Sequence, residues 1–142
     1  MFTEEISFKT RGQSMEPLFF EHRDVINIRT VNGELKRGDV ILYPSETGNV
    51  LILHRIIKIK GNELLIRGDN NLFDEHRQKD EVVGIMTSFF RNGKYCDINK
   101  SKKYKLYTFY ILNTYFFRFN WRCRVKPRLL KLKKFIFKKP SE

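Results

Sequence analysis

Ser14 stands in the segment Gly12-Gln13-Ser14-Met15-Glu16-Pro17, a tight turn bounded by glycine and proline ahead of a long stretch of β-type sequence. Such a turn presents a hydroxyl outward. An exposed serine becomes a nucleophile when a nearby base takes its proton and backbone N–H groups face the oxyanion that develops on the substrate. Taken alone, a serine in a turn more commonly serves as a cap. Here three further segments follow it in compact order: Arg37-Gly38-Asp39-Val40-Ile41, then His54-Arg55-Ile56 in an apolar run, then Arg67-Gly68-Asp69-Asn70-Asn71.

This ordered set, from about Lys9 to Met86, resembles the type I signal peptidases and their LexA-like relatives, and the combination is far more specific than any of its parts. The resemblance implies that Ser14 is the nucleophile and that the strand after Arg-Gly-Asp-Val carries the general base. In the bacterial housekeeping and LexA-type branches that base is lysine; in the endoplasmic-reticulum and archaeal-type branch it is histidine followed by arginine, matched here by His54-Arg55. The chemistry agrees. An imidazole with an ordinary pKa of ~6.5 accepts a serine proton at neutral pH without the strong desolvation a lysine base requires. The plain alternative for a histidine on a strand is a satisfied, partly buried side chain.

A histidine base needs a carboxylate to fix its tautomer and stabilise the imidazolium. The candidates are Asp69, in the Gly-Asp-Asn-Asn signature, and Asp74, in the pair Asp74-Glu75 that approximates the second aspartate of the histidine enzymes. The endoplasmic-reticulum pattern places that aspartate where Glu75 falls, one step beyond Asp74. Gly68–Asn71 also reads as a turn closed by Asx hydrogen bonds. Asp39 is expected to shape a strand entry rather than move protons. Some relatives carry a hydroxyl two residues before the nucleophile, but Gly12 occupies that place, so the oxyanion hole rests on main-chain donors, with Ser14 N–H foremost. No cofactor is called for, and His22, Asp24, Asp74, Glu75 and His76 lack convincing metal-ligand spacing.

The elements that must position these residues read as β. Apolar runs at Asp24–Ile28, Asp39–Tyr43, Val50–Ile59, Glu63–Arg67 and Val82–Phe90 alternate with turn signals such as Asn32-Gly33, Gly61-Asn62 and Asn92-Gly93. Their close spacing predicts a mostly β, compact barrel or sandwich of the LexA/signal-peptidase kind. A helix starting at Ser14 or Met15 is limited by Pro17.

At 142 residues the chain is the size of one domain, but its charge divides it. Residues 1–99 carry a net charge of −1 and residues 100–142 a net of +13, so the total of +12 is not spread over a nucleic-acid-binding surface. A catalytic domain over 1–99 and a basic, aromatic tail over 100–142 are expected. Leu129, Leu130, Leu132, Phe135, Ile136 and Phe137 among lysines suggest an amphipathic basic helix after Pro127. The tail suits the surface of an anionic membrane first, packing of Tyr107–Trp121 on the β body second, and nucleic acid third. Its longest uncharged stretch, Leu106–Phe117, is shorter than the ~20 apolar residues of a spanning helix. Cys96 and Cys123 read as reduced thiols.

The acidic, polar beginning MFTEEISFKTRG does not resemble an export signal, and with the serine at position 14 the anchor that precedes the serine box in signal peptidases is expected to be missing. The expectation is a serine endopeptidase at the cytoplasmic or inner membrane surface, cleaving a leader, signal or other precursor peptide. Its rivals are a LexA-like self-cleaving protein and a non-catalytic β module that binds through its tail.

Overall fold

The computed structural model describes residues 4–136, with side chains to Lys133. Eight strands form one antiparallel sheet: β1 (Glu5–Lys9), β2 (Asp24–Arg29), β3 (Val40–Pro44), β4 (Leu51–Lys60), β5 (Glu63–Arg67), β6 (Glu75–Gln78), β7 (Gly84–Arg91) and β8 (Lys94–Asp97). The spatial order is β1-β2-β7-β3-β4-β5-β6, with β8 paired to β7. The mostly β expectation holds. The five expected strands appear within two residues of their expected limits. β1, β6 and β8 are additional short strands, and β6 reads Glu-His-Arg-Gln, without the apolar alternation that marks a half-buried strand.

The sheet is apolar on both faces where β3 and β4 run side by side. Val40, Leu42 and Leu53 join Met15, Phe19, Ile26, Met86 and Phe89 in one cluster, while Ile41, Tyr43, Ile56, Leu64 and Ile66 form another. Because strand side chains alternate, consecutive residues of β4 serve different faces. Ile41 lies opposite His54 and Val40 opposite Arg55, so these neighbours point away from each other. A register shift between Ile56 and Lys58 follows them.

The segment from Ser14 to Leu18 is a turn rather than a helix, held by Glu16 N–H on Gln13 O and Phe19 N–H on Met15 O. Met15, Leu18 and Phe19 are buried from it into the first cluster, which ties the serine segment to the body. The Asp39 carboxylate accepts the Lys36 N–H at 2.7 Å and shapes the strand entry as expected.

The change of composition at Asn99 coincides with a change to helix. Ser101 caps α1 (Lys102–Asn113) by accepting the Tyr104 N–H, and α2 (Tyr115–Asn120), a π-helical turn (Trp121–Val125) and α3 (Lys126–Ile136) follow. Pro127 directly follows the π-helical turn in an unbroken helical run, so its missing donor falls at that local widening of the helix. α1 lies on the sheet: Tyr104 and Ile111 are buried, and Thr108 and Leu112 pack over Gly38, whose φ of +97° favours glycine. Beyond it Phe116, Phe117, Trp121, Leu129 and Leu130 are exposed. Phe137, the last residue of the expected basic helix, lies outside the described residues, and of Phe135 and Ile136 only the backbone is described. No helix among the described residues is long and apolar enough to cross a membrane.

Candidate active site

His54 is placed by β4 with 3% of its surface exposed. Its Nδ1 lies 2.8 Å from the Tyr43 hydroxyl and 3.2 Å from Glu75 Oε1. The same Tyr43 hydroxyl donates to Glu75 Oε2 at 3.1 Å. That hydroxyl has one proton, and with it given to Glu75 the ring nitrogen must be the donor toward Tyr43. Nδ1 therefore carries the ring proton and Nε2 is left as the acceptor. Burial lowers the His54 pKa from its ordinary value; Glu75 and then Asp69 oppose the shift, and Arg77 adds to it. The same burial, with Glu75, raises the Tyr43 hydroxyl far out of range, so it stays protonated.

The acceptor nitrogen faces the serine segment across Gly68. A Cβ on Gly68 would stand 3.0 Å from His54 Nε2 and 2.5 Å from the Ser14 carbonyl oxygen. The absence of a side chain at 68 is what lets strand β4 and the serine turn approach. Ser14 itself is half-buried and lines a cleft of about 650 Å³ together with Ile6 and Phe8 of β1, Thr10, Leu51 and Leu53 of β4, and Val83. Among the described residues β1 ends the strand order paired to β2 alone, which leaves one edge of its backbone unpaired.

The two aspartates singled out in the sequence have other partners. Asp69, 2% exposed, receives a bidentate pair of hydrogen bonds from the fully buried Arg55 at 2.8 and 2.7 Å, and a third from the Tyr107 hydroxyl at 3.0 Å. Asp74 lies 3.3 Å from Arg67 Nε. Neither is hydrogen-bonded to His54; among the described residues the carboxylate in reach of its ring is Glu75. The alternation of β4 explains this, since His54 and Arg55 face opposite ways and Asp69 follows Arg55. Of the residues weighed as metal ligands, Glu75 lies on His54, Asp24 on Arg23 and His76 on Glu63. His22 lies 3.4 Å from the neighbouring Glu21.

Sequence reasoning placed Glu75 where a relative carries its aspartate but did not anticipate Tyr43. Its signal was available in the pairing of β3 with β4: Tyr43 shares a face with Ile41, which lies opposite His54.

No protein-family model matches the chain. It is similar to signal peptidase complex catalytic subunits SEC11 from several fungi. That of Scheffersomyces stipitis is 30% identical over 90 residues, 54% of this chain and 54% of that protein. That of Fusarium vanettenii is 37% identical over 91 residues, 54% of this chain and 52% of that protein. That of Zygosaccharomyces rouxii is 36% identical over 67 residues, 44% and 40% respectively. The chain thus spans about half the length of these curated relatives, and its likeness is to the catalytic subunits of a signal peptidase.

Proposed function

We propose that this chain is a serine endopeptidase that removes a signal, leader or similar segment from a precursor peptide, with Ser14 as nucleophile and His54 as general base. One observation carries the reading: His54 Nε2 and the Ser14 carbonyl oxygen both border Gly68, 3.0 and 2.5 Å from where a Cβ there would stand, while the opposite ring nitrogen is held by Glu75 and Tyr43. The similarity to SEC11 catalytic subunits supports it independently.

In the acylation step Ser14 Oγ attacks the scissile carbonyl carbon as its proton passes to His54 Nε2. The imidazolium formed is stabilised by Glu75, and Tyr43 keeps the ring in place. The charge on the carbonyl oxygen falls to main-chain donors, with Ser14 N–H the first. His54 then gives the proton to the departing amine as the C–N bond breaks. Water, deprotonated by the same nitrogen, hydrolyses the ester and restores Ser14. The free edge of β1 beside the cleft suits an extended peptide that adds a strand, and the apolar cleft suits small uncharged residues before the cut.

The test is cleavage of a fluorogenic peptide carrying Ala-X-Ala before the scissile bond, with reaction of a fluorophosphonate as a second readout. Ser14→Ala and His54→Ala are expected to abolish both. Undiminished cleavage by either variant overturns the reading.

The exposed aromatic and cationic tail supports peripheral contact with an anionic membrane as the setting of this activity. Leu129, Leu130 and Leu132 are exposed among Lys126, Arg128 and Lys131, a mixture that settles at the headgroup level. Vesicles containing phosphatidylserine are expected to bind the chain in a salt-sensitive way and to lose it on deletion of residues 125–142. Binding that survives the deletion sinks the anchoring role.

A further inference from the structure

Asn70 bridges the segment around Arg122 and the serine turn. Asn70 N–H donates to Ser14 O at 2.8 Å, and its side-chain Nδ2 donates to Gln13 O at 2.9 Å. On its other side, Arg122 Nη2 donates to Asn70 Oδ1 at 2.6 Å and Nη1 to Asn70 O at 2.7 Å. Arg118, one turn earlier, donates to the carbonyl of Asp69.

The Gln13 carbonyl and the Ser14 N–H belong to one planar trans peptide, on opposite sides of it. A donor that holds the carbonyl therefore sets the direction of the N–H, the first main-chain donor of the oxyanion hole in the proposed mechanism. Asn70 can hold that carbonyl only with its NH₂ end toward Gln13, because the reversed amide would set oxygen against oxygen. A guanidinium offers donors and no acceptor, so Arg122 on Oδ1 selects that orientation and opposes the flip.

We propose that Arg122 is a positioning residue for the oxyanion hole: through Asn70 it orients the donor that, beside the Glu16 N–H, holds the Gln13 carbonyl and with it the Gln13–Ser14 peptide, making the basic tail part of the catalytic apparatus. This rests on the peptidase reading above. Arg122 touches no reacting atom. Its loss acts on the transition state and leaves peptide binding along the cleft intact.

The experiment compares full-length parent, Arg122→Ala, Arg122→Lys, Arg124→Ala, Asn70→Asp and Ser14→Ala on the Ala-X-Ala peptide. It also measures affinity for a peptide aldehyde, which forms an oxyanion, and for the matching uncleavable peptide, which does not. Arg122→Ala is expected to lower kcat by about tenfold with KM little changed, a fraction of the ~10²–10³ lost with an oxyanion donor itself. Aldehyde affinity falls in step while uncleavable-peptide affinity holds. Arg122→Lys, with one charged donor for two, recovers part of the rate. Arg124→Ala, removing an equal charge two residues on, matches the parent.

Asn70→Asp keeps an acceptor for Arg122 but has no donor for Gln13, so it lowers kcat with an unchanged melting temperature, and it stands in should Arg122→Ala fail to fold. Two results overturn the inference: kcat within twofold of the parent in Arg122→Ala or, if that variant does not fold, in Asn70→Asp; or equal losses of aldehyde and peptide affinity. An active Ser14→Ala sinks the peptidase reading instead; an inactive Ser14→Ala beside a fully active Arg122→Ala sinks this inference alone.

Discussion

Glu75 Oε1 lies 3.2 Å from His54 Nδ1, and the Tyr43 hydroxyl, bonded to the same carboxylate, lies 2.8 Å from that nitrogen. The ring thus has two acceptors on one side. Glu75→Gln is expected to lower kcat roughly 10²-fold, within the range for general acid–base catalysis, because a neutral amide neither fixes the tautomer nor stabilises the imidazolium as well. Tyr43→Phe, which leaves the carboxylate, is expected to cost less. Asp74→Asn, altering a contact with Arg67 instead, should stay within a few-fold of the parent. Steady-state kinetics of the three decide the matter: a larger loss in Asp74→Asn than in Glu75→Gln would return the orienting role to the aspartate.

The acid limb of kcat/KM should reflect His54 with a midpoint below its ordinary ~6.5, since burial disfavours the imidazolium. Glu75 raises this pKa and Arg77 lowers it, so Glu75→Gln moves the midpoint further down and Arg77→Gln moves it up. Stability follows the same sign. With the folded value below the unfolded one, the unfolded chain binds the proton more readily. The His54 contribution is fully present above the unfolded pKa and is lost as pH falls through the folded one. Imidazole NMR titration of Ser14→Ala measures the shift directly, and a midpoint above 6.5 would contradict it.

Arg55 and Asp69 are both withdrawn from solvent and joined by two parallel hydrogen bonds. Arg55 also reaches the Gly38 carbonyl and Thr108 of α1, so one buried charge ties β4, the Gly68–Asn71 loop and the helix together. Asp69→Leu leaves that guanidinium uncompensated and is expected to cost about 3–5 kcal/mol of stability. The double variant Asp69→Leu with Arg55→Leu should be more stable than either single one. Denaturant melts of the four proteins form the cycle; additive losses would show that the two charges do not depend on each other.

How far the sequence could be read depended on the kind of interaction. The five apolar strands were legible because side-chain alternation and turn signals are written in adjacent residues, and the motifs around Ser14 and His54, whose roles are proposed, are equally local. β6 was not, since Glu-His-Arg-Gln pairs through its backbone and leaves no apolar period. The acid on His54 depended on which way Arg55 faces, a matter of strand parity that assigned Asp69 to the arginine. Arg118 and Arg122 lie in and just after a stretch whose aromatic residues, rather than its charges, suggested packing on the β body. Their i, i+4 spacing on a helix, placing both on one face, was the available clue.

Gly68 lies between His54 Nε2 and the Ser14 carbonyl, and it gives the sharpest test of that geometry. A methyl group there would lie 2.5 Å from the Ser14 carbonyl oxygen, 3.0 Å from His54 Nε2 and 3.0 Å from Asn71 Nδ2. The nearest atom is backbone held by Asn70, so relief requires displacement of the serine turn itself. A misplacement of about 1 Å can cost ~10² in rate. Gly68→Ala is therefore expected to lower kcat by that order. Gly61→Ala, at a hairpin turn with φ of +60° and open space around it, carries backbone strain without touching the site. It should lower the melting temperature while keeping kcat. Comparing the two separates strain from site geometry, and parent-like turnover in folded Gly68→Ala would mean that His54 and Ser14 do not need this close approach.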